Sequence, residues 1–491
     1  MTSILRDVRY AFRVLAKSPG FTAIAILSLA LGIGPNTAIF SMVNATLLRG
    51  PDGENPETLL DAYNLGDEGT WYFSSFWVVE EMREGTGGVF DGVAAWVANQ
   101  AAVEEDGVAR PVLYELVTGN YFDVLGIRAG QGRFFAPEED LTPGTHPVAV
   151  VSHPYWETRL GSDPSAVGSE IRVNGRPYTI IGVAPEDFTG KALPGVQTDM
   201  WLPYNMYPHL LPGQPSSGNL GITARLAEGT EIGTALSAVD ALSTRIDAER
   251  KARGSEDDFV LRAFPWTDMY LHPSMDKPMV AIAALLVVVV ALVLLVACIN
   301  LAGFLLARAT DRRREVAMRL ALGATRQDII RQLLTESVLL GLAGGALGLG
   351  LGIWTARMLT GIDLPIPLPL TLDVGLDPAV LAFTAGASLF AGLAFGITPA
   401  LQASRSPVAT VLRDEGLSVS GSRRKITLRG GLVVGQLAVS VVLLVGAGLF
   451  IQSLRAATAL DPGFDTGPAT IVQVSGGASG YESVDEFLPV L

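Results

Sequence analysis

RRREVAMRLALGATRQDIIRQLLTE, Arg312–Glu336, lies between two long apolar runs and is itself basic. Glu315–Leu322 is built from good helix formers, with Val316, Met318 and Leu320 apolar. Gly323 suits the left-handed conformation that ends a helix just past its cap. Thr325 and Asp328 then stand at capping-box spacing. Ile329, Ile330, Leu333 and Leu334 carry a second helix into the next apolar run. The spacing predicts a helix, a tight turn and a second helix. A short, charged, rigidly turned element between two membrane helices is suited to carrying force, because a push on it moves both.

The chain has 491 residues, 49% of them hydrophobic, and a mean hydropathy of +0.37. That fraction is ordinary for soluble domains. The distribution decides the class: apolar residues gather in long runs. The first, from Phe21 to about Leu48, follows an amphipathic basic segment with Ile4, Val8, Ala11, Phe12 and Leu15 at helical spacing and Arg6, Arg9, Arg13 and Lys17 between them. This segment reads as a helix lying in the cytoplasmic membrane interface. The run after it is too long for a signal-peptide core. About 28 residues of helix reach ~42 Å, past a hydrocarbon core of ~30 Å.

Further runs lie at about Met279–Leu306, Ile329–Leu359, Pro378–Leu401 and Leu432–Leu454. Arg308–Arg331 holds seven basic and three acidic residues, which sets that short loop in the cytoplasm. Gly344, Gly348 and Gly352 form a small-residue stripe in the third run. The stripe fits packing inside one subunit and a dimer contact equally well. The runs carry no internal charge that would line a polar pathway.

Residues 51–275 hold 33 acidic and 14 basic residues and read as a folded α+β domain across the membrane. In Glu170–Val183, EIRVNGRPYTIIGV, two strands flank Asn174-Gly175, the pair a type I′ turn needs. Val148–Ser152 reads as a buried strand, and Leu236, Val239, Leu242 and Ile246 mark an amphipathic helix.

Arg313–Ser337 resembles the cytoplasmic coupling loop of MacB/FtsX-type ABC transporter permeases. Asn120–Arg133 (NYFDVLGIRAGQGR), Val148–Trp156 (VAVVSHPYW) and Gly168–Phe188 (GSEIRVNGRPYTIIGVAPEDF) look like the periplasmic core domain of MacB-like permeases, in order and spacing. The resemblance implies a permease subunit of the bacterial inner membrane. It would be a multi-pass helical bundle of four transmembrane helices plus a fifth starting a second repeat, with a large extracytoplasmic α+β domain between helices 1 and 2.

The expected segments are an amphipathic helix at 1–18, helix 1 at 19–48, the periplasmic core domain at 49–277, helix 2 at 278–307 and the coupling loop at 308–331. Helices 3 and 4 fall in 332–401, a cytoplasmic linker in 402–429, helix 5 in 430–454 and the start of a second periplasmic domain in 455–491. The layout resembles the acidobacterial-type duplicated orphan permeases, so a chain stopping at Leu491 is expected to be a truncated or split form, a fragment, or one completed by a partner.

The resemblance further implies docking on a separate ABC ATPase subunit, with ATP and Mg bound there and no cofactor in this chain. Glu315, Arg319, Leu320, Gly323, Ala324 and Thr325 are the implied contacts. A homodimer or pseudo-dimer in membrane lipid is expected. The implied work is mechanotransmission: hydrolysis on the partner moves the outer domain and exports substrate. Two alternatives from other classes are an FtsX-like scaffold that activates a cell-wall hydrolase and a membrane-anchored peptide or antibiotic sensor.

The sequence has no G-x-x-x-x-G-K-[ST] and no catalytic constellation. His146, His153, His209 and His272 are scattered and Cys298 is the single cysteine, so no metal site is expected. A net charge of -14 argues against nucleic acid as a partner.

Overall fold

The computed structural model describes residues 2–43, 53–66, 69–105, 108–191, 197–211, 219–268, 272–311, 313–322, 324–360, 378–404 and 428–458. The chain divides into two compact units. One is helical, formed before residue 46 and after residue 280; the other is a sheet domain made by the residues between. The expected outer loop at 361–377 and most of the linker and second-domain segments lie outside the described residues.

In chain order the helices are α1 (Thr2–Ala16), α2 (Pro19–Val43), α3 (Phe76–Gly85), α4 (Tyr121–Leu125), α5 (His153–Arg159), α6 (Tyr207–Leu210), α7 (Ile232–Ala252), α8 (Pro273–Asp311), α9 (Arg313–Ala321), α10 (Arg326–Thr360), α11 (Pro378–Ser404) and α12 (Leu428–Thr458). Among the described residues four are long and apolar enough to cross a bilayer: α2, α8, α10 and α12, over Pro19–Ser41, Val280–Arg308, Arg326–Thr355 and Gly430–Ala456. α11 is 27 residues long, about 40 Å, and apolar over Pro378–Ala394.

Glycine sets the packing of the helical unit. A Cβ on Gly348 would stand 3.1 Å from Ile33 Cβ and 3.2 Å from the Ala30 carbonyl oxygen, and one on Gly352 would stand 3.0 Å from the Gly34 carbonyl oxygen. A Cβ on Gly344 would meet Leu29 Cβ at 2.5 Å. The Gly344/Gly348/Gly352 stripe therefore lies against α2 of the same chain. A second row, Gly341 and Gly345, meets Ser388 of α11, and Gly392 of α11 meets Val338. Thr37 Oγ1 lies 3.1 Å from Thr384 Oγ1, and Phe40 stacks on Phe383 at 4.1 Å, joining α2 to α11. α8 joins through Cys298 and Leu301, buried with Leu15, Ala25, Leu29 and Ile33.

The strands of the sheet domain are β1 (Leu59–Leu65), β2 (Trp71–Tyr72), β3 (Phe90–Glu105), β4 (Val108–Val117), β5 (Gln131–Gly132), β6 (Val148–Val151), β7 (Glu170–Val173), β8 (Arg176–Val183), β9 (Met200–Pro203), β10 (Gly221–Leu226) and β11 (Val260–Pro265). Their order is β11-β1-β10-β3-β4-β9-β6-β8-β5, with β2 on β1 and β7 against β3 and β8. Asn174 (φ 50°) and Gly175 (φ 76°) turn β7 into β8 with both residues at positive φ, as a type I′ turn requires.

The period-two alternation splits the core between the two faces of the sheet. Leu60, Ala95 and Leu202 pack with α7 residues Val239, Leu242 and Ile246. Leu59, Ala94 and Trp201 pack with Phe122, Phe188 and Trp266.

This second face holds a charge network with no sequence motif. Lys191 Nζ is 2.5 Å from Asp61 Oδ2 on β1 and 3.9 Å from the centre of the Trp266 ring. The Lys191 side chain is 16% exposed. Asp61 Oδ1 accepts from Trp266 Nε1 at 2.8 Å and Thr223 Oγ1 at 2.6 Å. Glu115 on β4 is fully buried and accepts from Lys191 N–H, Thr198, Trp201 and Tyr121 at 2.6, 2.9, 2.9 and 3.1 Å. Burial pushes the Glu115 carboxyl up against these four donors, and burial lowers Lys191 against the pull of Asp61. The network fastens Lys191 and Thr198, the first strand, β4 and the residue after the last strand to one another.

Asp199 Oδ2 accepts the Leu113 N–H at 2.8 Å. Burial lifts its carboxyl to about 6, against the Leu113 amide and Arg159, with Glu105 adding to the rise. The folded state thus holds this proton more tightly than the unfolded chain does. Stability from the group is complete below about pH 4 and is lost as pH rises through about 6.

Four outcomes follow for the full chain in detergent, read as apparent melting temperature. Gly348→Leu overpacks α10 on α2 and costs about 1–3 kcal/mol. Gly350→Leu, which points into open space, leaves the transition near wild type. Lys191→Met strands a buried carboxylate and costs ~3–5 kcal/mol, and adding Asp61→Asn recovers part of that loss. Asp199→Asn removes the carboxylate penalty, so its gain over wild type grows between pH 4 and pH 6.5 toward ~2–3 kcal/mol.

Candidate functional site

The hairpin between α8 and α10 is closed by local hydrogen bonds that its residue types dictate. Ala324 N–H donates to the Arg319 carbonyl at 3.0 Å. That five-residue span is the 6→1 closure of a Schellman helix end. Gly323 itself lies outside the described residues. Thr325 caps α10. Its Oγ1 accepts from Asp328 N–H at 3.2 Å, while Asp328 Oδ2 accepts from Thr325 N–H at 3.3 Å and from Thr325 Oγ1 at 2.6 Å. This is a reciprocal capping box with Asp in the third position.

Behind the turn, polar side chains latch the hairpin to α1. Arg319 donates to Glu315 Oε1 at 2.5 Å, Tyr10 OH at 2.6 Å and Gln332 Oε1 at 2.8 Å. Its guanidinium also lies over the Tyr10 ring, 5.1 Å from the centre. Tyr10 OH donates to Glu315 at 3.2 Å. One turn away, Arg331 Nε pairs with Asp7 Oδ2 at 2.6 Å and Arg331 Nη2 with Asp328 at 3.3 Å. Arg308, at the end of α8, donates to Ser18 Oγ at 2.6 Å and to the Val14 carbonyl at 3.2 Å. Its guanidinium stands 4.3 Å from the Phe21 ring centre.

Of the residues implied by resemblance, Glu315 and Arg319 are thus brought together, but they face α1 and Gln332. Ala324 is half-buried and Thr325 exposed at the turn. The side chain of Leu320 lies outside the described residues. The apolar surface the hairpin offers is different: Leu322 is 88% exposed and Met318 56% exposed. Met318 lies in α9 and Leu322 just past its end. Both are legible as apolar in the sequence, but so are Val316 and Leu320, and only the fold tells which of them stay exposed.

In the expected amphipathic helix α1, Ala11, Val14 and Leu15 are buried against the protein, leaving Phe12 outside. One expectation changes: the third apolar run is not free of charge. Glu336 is buried in α10 and accepts from Gln332 Nε2 at 3.4 Å, extending the Arg319–Gln332 chain into the span. Among the described residues no three His, Cys, Asp or Glu side chains converge as a metal site would require.

Two family models match the chain: a MacB-like periplasmic core domain over residues 22–242 and an FtsX-like permease C-terminal over residues 287–408. The macrolide export ATP-binding/permease proteins MacB of Shigella boydii serotype 4 (strain Sb227) and Escherichia coli (strain K12) are each 29% identical over 299 residues, 61% of this chain and 43% of theirs. The chain therefore spans less than half the length of these curated relatives.

Among solved structures, the periplasmic region of MacB from Actinobacillus actinomycetemcomitans aligns with a TM-score of 0.34 and 13% identity, over 48% of this chain and 96% of that one. The extracellular domain of the noncanonic ABC-type transporter YknZ from Gram-positive bacteria aligns with a TM-score of 0.31 and 16% identity, over 41% and 98%.

The first family match starts in α2 and runs through the sheet domain into α7; the second starts in α8 and passes α11. With these two domains in succession and helices able to cross a bilayer, this chain is a MacB/FtsX-like permease, a membrane protein with an extracytoplasmic domain.

Proposed function

We propose that the chain is the permease subunit of an ABC transporter in the bacterial inner membrane. It works with a separate ATPase that binds ATP and Mg, in a homodimer or pseudo-dimer. Hydrolysis on the partner moves the α9–α10 hairpin. α10 carries that motion to α2, and the outer domain responds by expelling substrate on its own side of the membrane.

The observation that carries this reading is the hairpin itself: a turn closed at both helix ends, latched to α1, and exposing Met318 and Leu322. A rigid element with an apolar tip suits docking on a protein groove. The basic short loops support a cytoplasmic N-terminus. The relatives' names supply export as the direction of work, macrolides being named for them.

Leu322→Glu and Met318→Glu are expected to abolish binding and stimulation of the cognate ATPase by the chain in lipid, with an unchanged melting temperature. Unchanged stimulation in both variants would remove the hairpin tip as the docking surface. Tyr10→Phe takes one hydroxyl from between Arg319 and Glu315. It is expected to keep ATPase binding and lower stimulation several-fold, measured as ATPase rate against permease concentration.

A further inference from the structure

The outer side of α1 is a surface that the coupling reading does not use. Arg9, Arg13 and Lys17 are exposed and recur every four residues, so they share a strip of the helix. None of the three has an ion-pair partner among the described residues. Arg6 continues the strip and lies within electrostatic reach of Asp328. Phe12, 61% exposed, borders the strip beside Arg9 and Ala16. The only acid of α1, Asp7, is buried and paired with Arg331. The exposed strip is therefore purely cationic with one aromatic edge.

One sequence position and two sets of contacts fix where this strip lies. Lys17 is two residues before the span that begins at Pro19. Arg308, the last residue of the span Val280–Arg308, holds Ser18 and Val14. Asp7 is held by Arg331, in the second turn of α10 where the third span starts. α1 thus lies across the ends of three spans, at one level of the membrane boundary.

We propose that Arg9, Arg13, Lys17 and Phe12 form a binding strip for the headgroups of anionic phospholipids. The cations meet lipid phosphates and Phe12 enters the acyl boundary. A basic strip beside an apolar edge, held at headgroup depth, is what an anionic leaflet attracts. The strip's charge and depth favour lipid over a protein partner, which at this level would have to displace headgroups. Because Asp7 and Tyr10 of the same helix hold Arg331 and Arg319, the bound leaflet also fixes the height of the coupling hairpin. The binding itself does not depend on ATPase coupling.

The test uses the full chain with Cys298→Ala, a spin label on Phe12→Cys, and nanodiscs of phosphatidylcholine with or without phosphatidylglycerol. Phosphatidylglycerol is expected to raise the label's accessibility to oxygen and lower it to a nickel chelate. Arg9→Gln/Arg13→Gln/Lys17→Gln should erase that difference. It should also cut the phosphatidylglycerol retained through purification at least ten-fold, given about five-fold per cation. An unshifted melting temperature shows the latch to be intact. For a strip variant that alters folding, high salt on the labled parent gives the same readout without mutation, and loss of the lipid difference is again expected. Equal accessibility in both lipids overturns the proposal. So does a triple variant that keeps the difference, or shielding of position 12 that appears only when an ATPase subunit is added.

Discussion

Everything in the helical unit depends on how closely α10 approaches its neighbours. Apolar side chains gain little by leaving lipid for one another, so helices in a bilayer hold together through packing and hydrogen bonds. α10 solves this twice, with one glycine row against α2 and another against α11. Backbone then meets backbone, where a tilt of one helix opens many contacts at once. α10 is held from two sides and can shift only if α2 or α11 shifts with it. The hydroxyl pair Thr37–Thr384 closes the triangle by bonding α2 to α11 directly.

The latch at the base of α10 works by geometry more than by energy. Partly exposed ion pairs such as Arg331–Asp7 contribute only about 0.2–1 kcal/mol each. Their placement matters more. Arg319 joins α9 to α1 and α10 through three acceptors, and Arg308 joins α8 to the start of α2. A displacement of α9 therefore reaches α1, α8 and α10 together. Glu336, one turn beyond Gln332 and buried, carries this polar chain further into α10 under cover of packed helices.

Much of this architecture was legible in the sequence because its signals are local. Capping at Thr325 and Asp328, the Asn174-Gly175 turn and the long apolar runs each rest on a few neighbouring residues. The glycine stripe was legible as a stripe, but its partner was not. Spacing says that a face is narrow, and only the fold says that Leu29, Ile33 and Gly34 fill it. The amphipathicity of α1 was equally plain, and a helical wheel cannot tell a bundle from a bilayer. The Asp61–Lys191–Glu115 network had no signature at all. Its members are 54 and 76 residues apart along the chain, and each is an unremarkable charge until β1 and β4 bring them together.

The pairing of β1 with β11 has a consequence for how such a protein can be assembled. Leu60 stands opposite Pro265, and Trp266 N–H donates to the Leu59 carbonyl at 3.0 Å. The sheet domain therefore begins and ends within one hydrogen bond, on adjacent antiparallel strands. A domain with touching ends can be lifted out or exchanged without disturbing the order of the helices that carry it. The sheet domain is in this sense an insertion in the sequence between α2 and α8. Its surface is free to diverge while the β1–β11 pairing and the glycine-packed bundle each keep their own form.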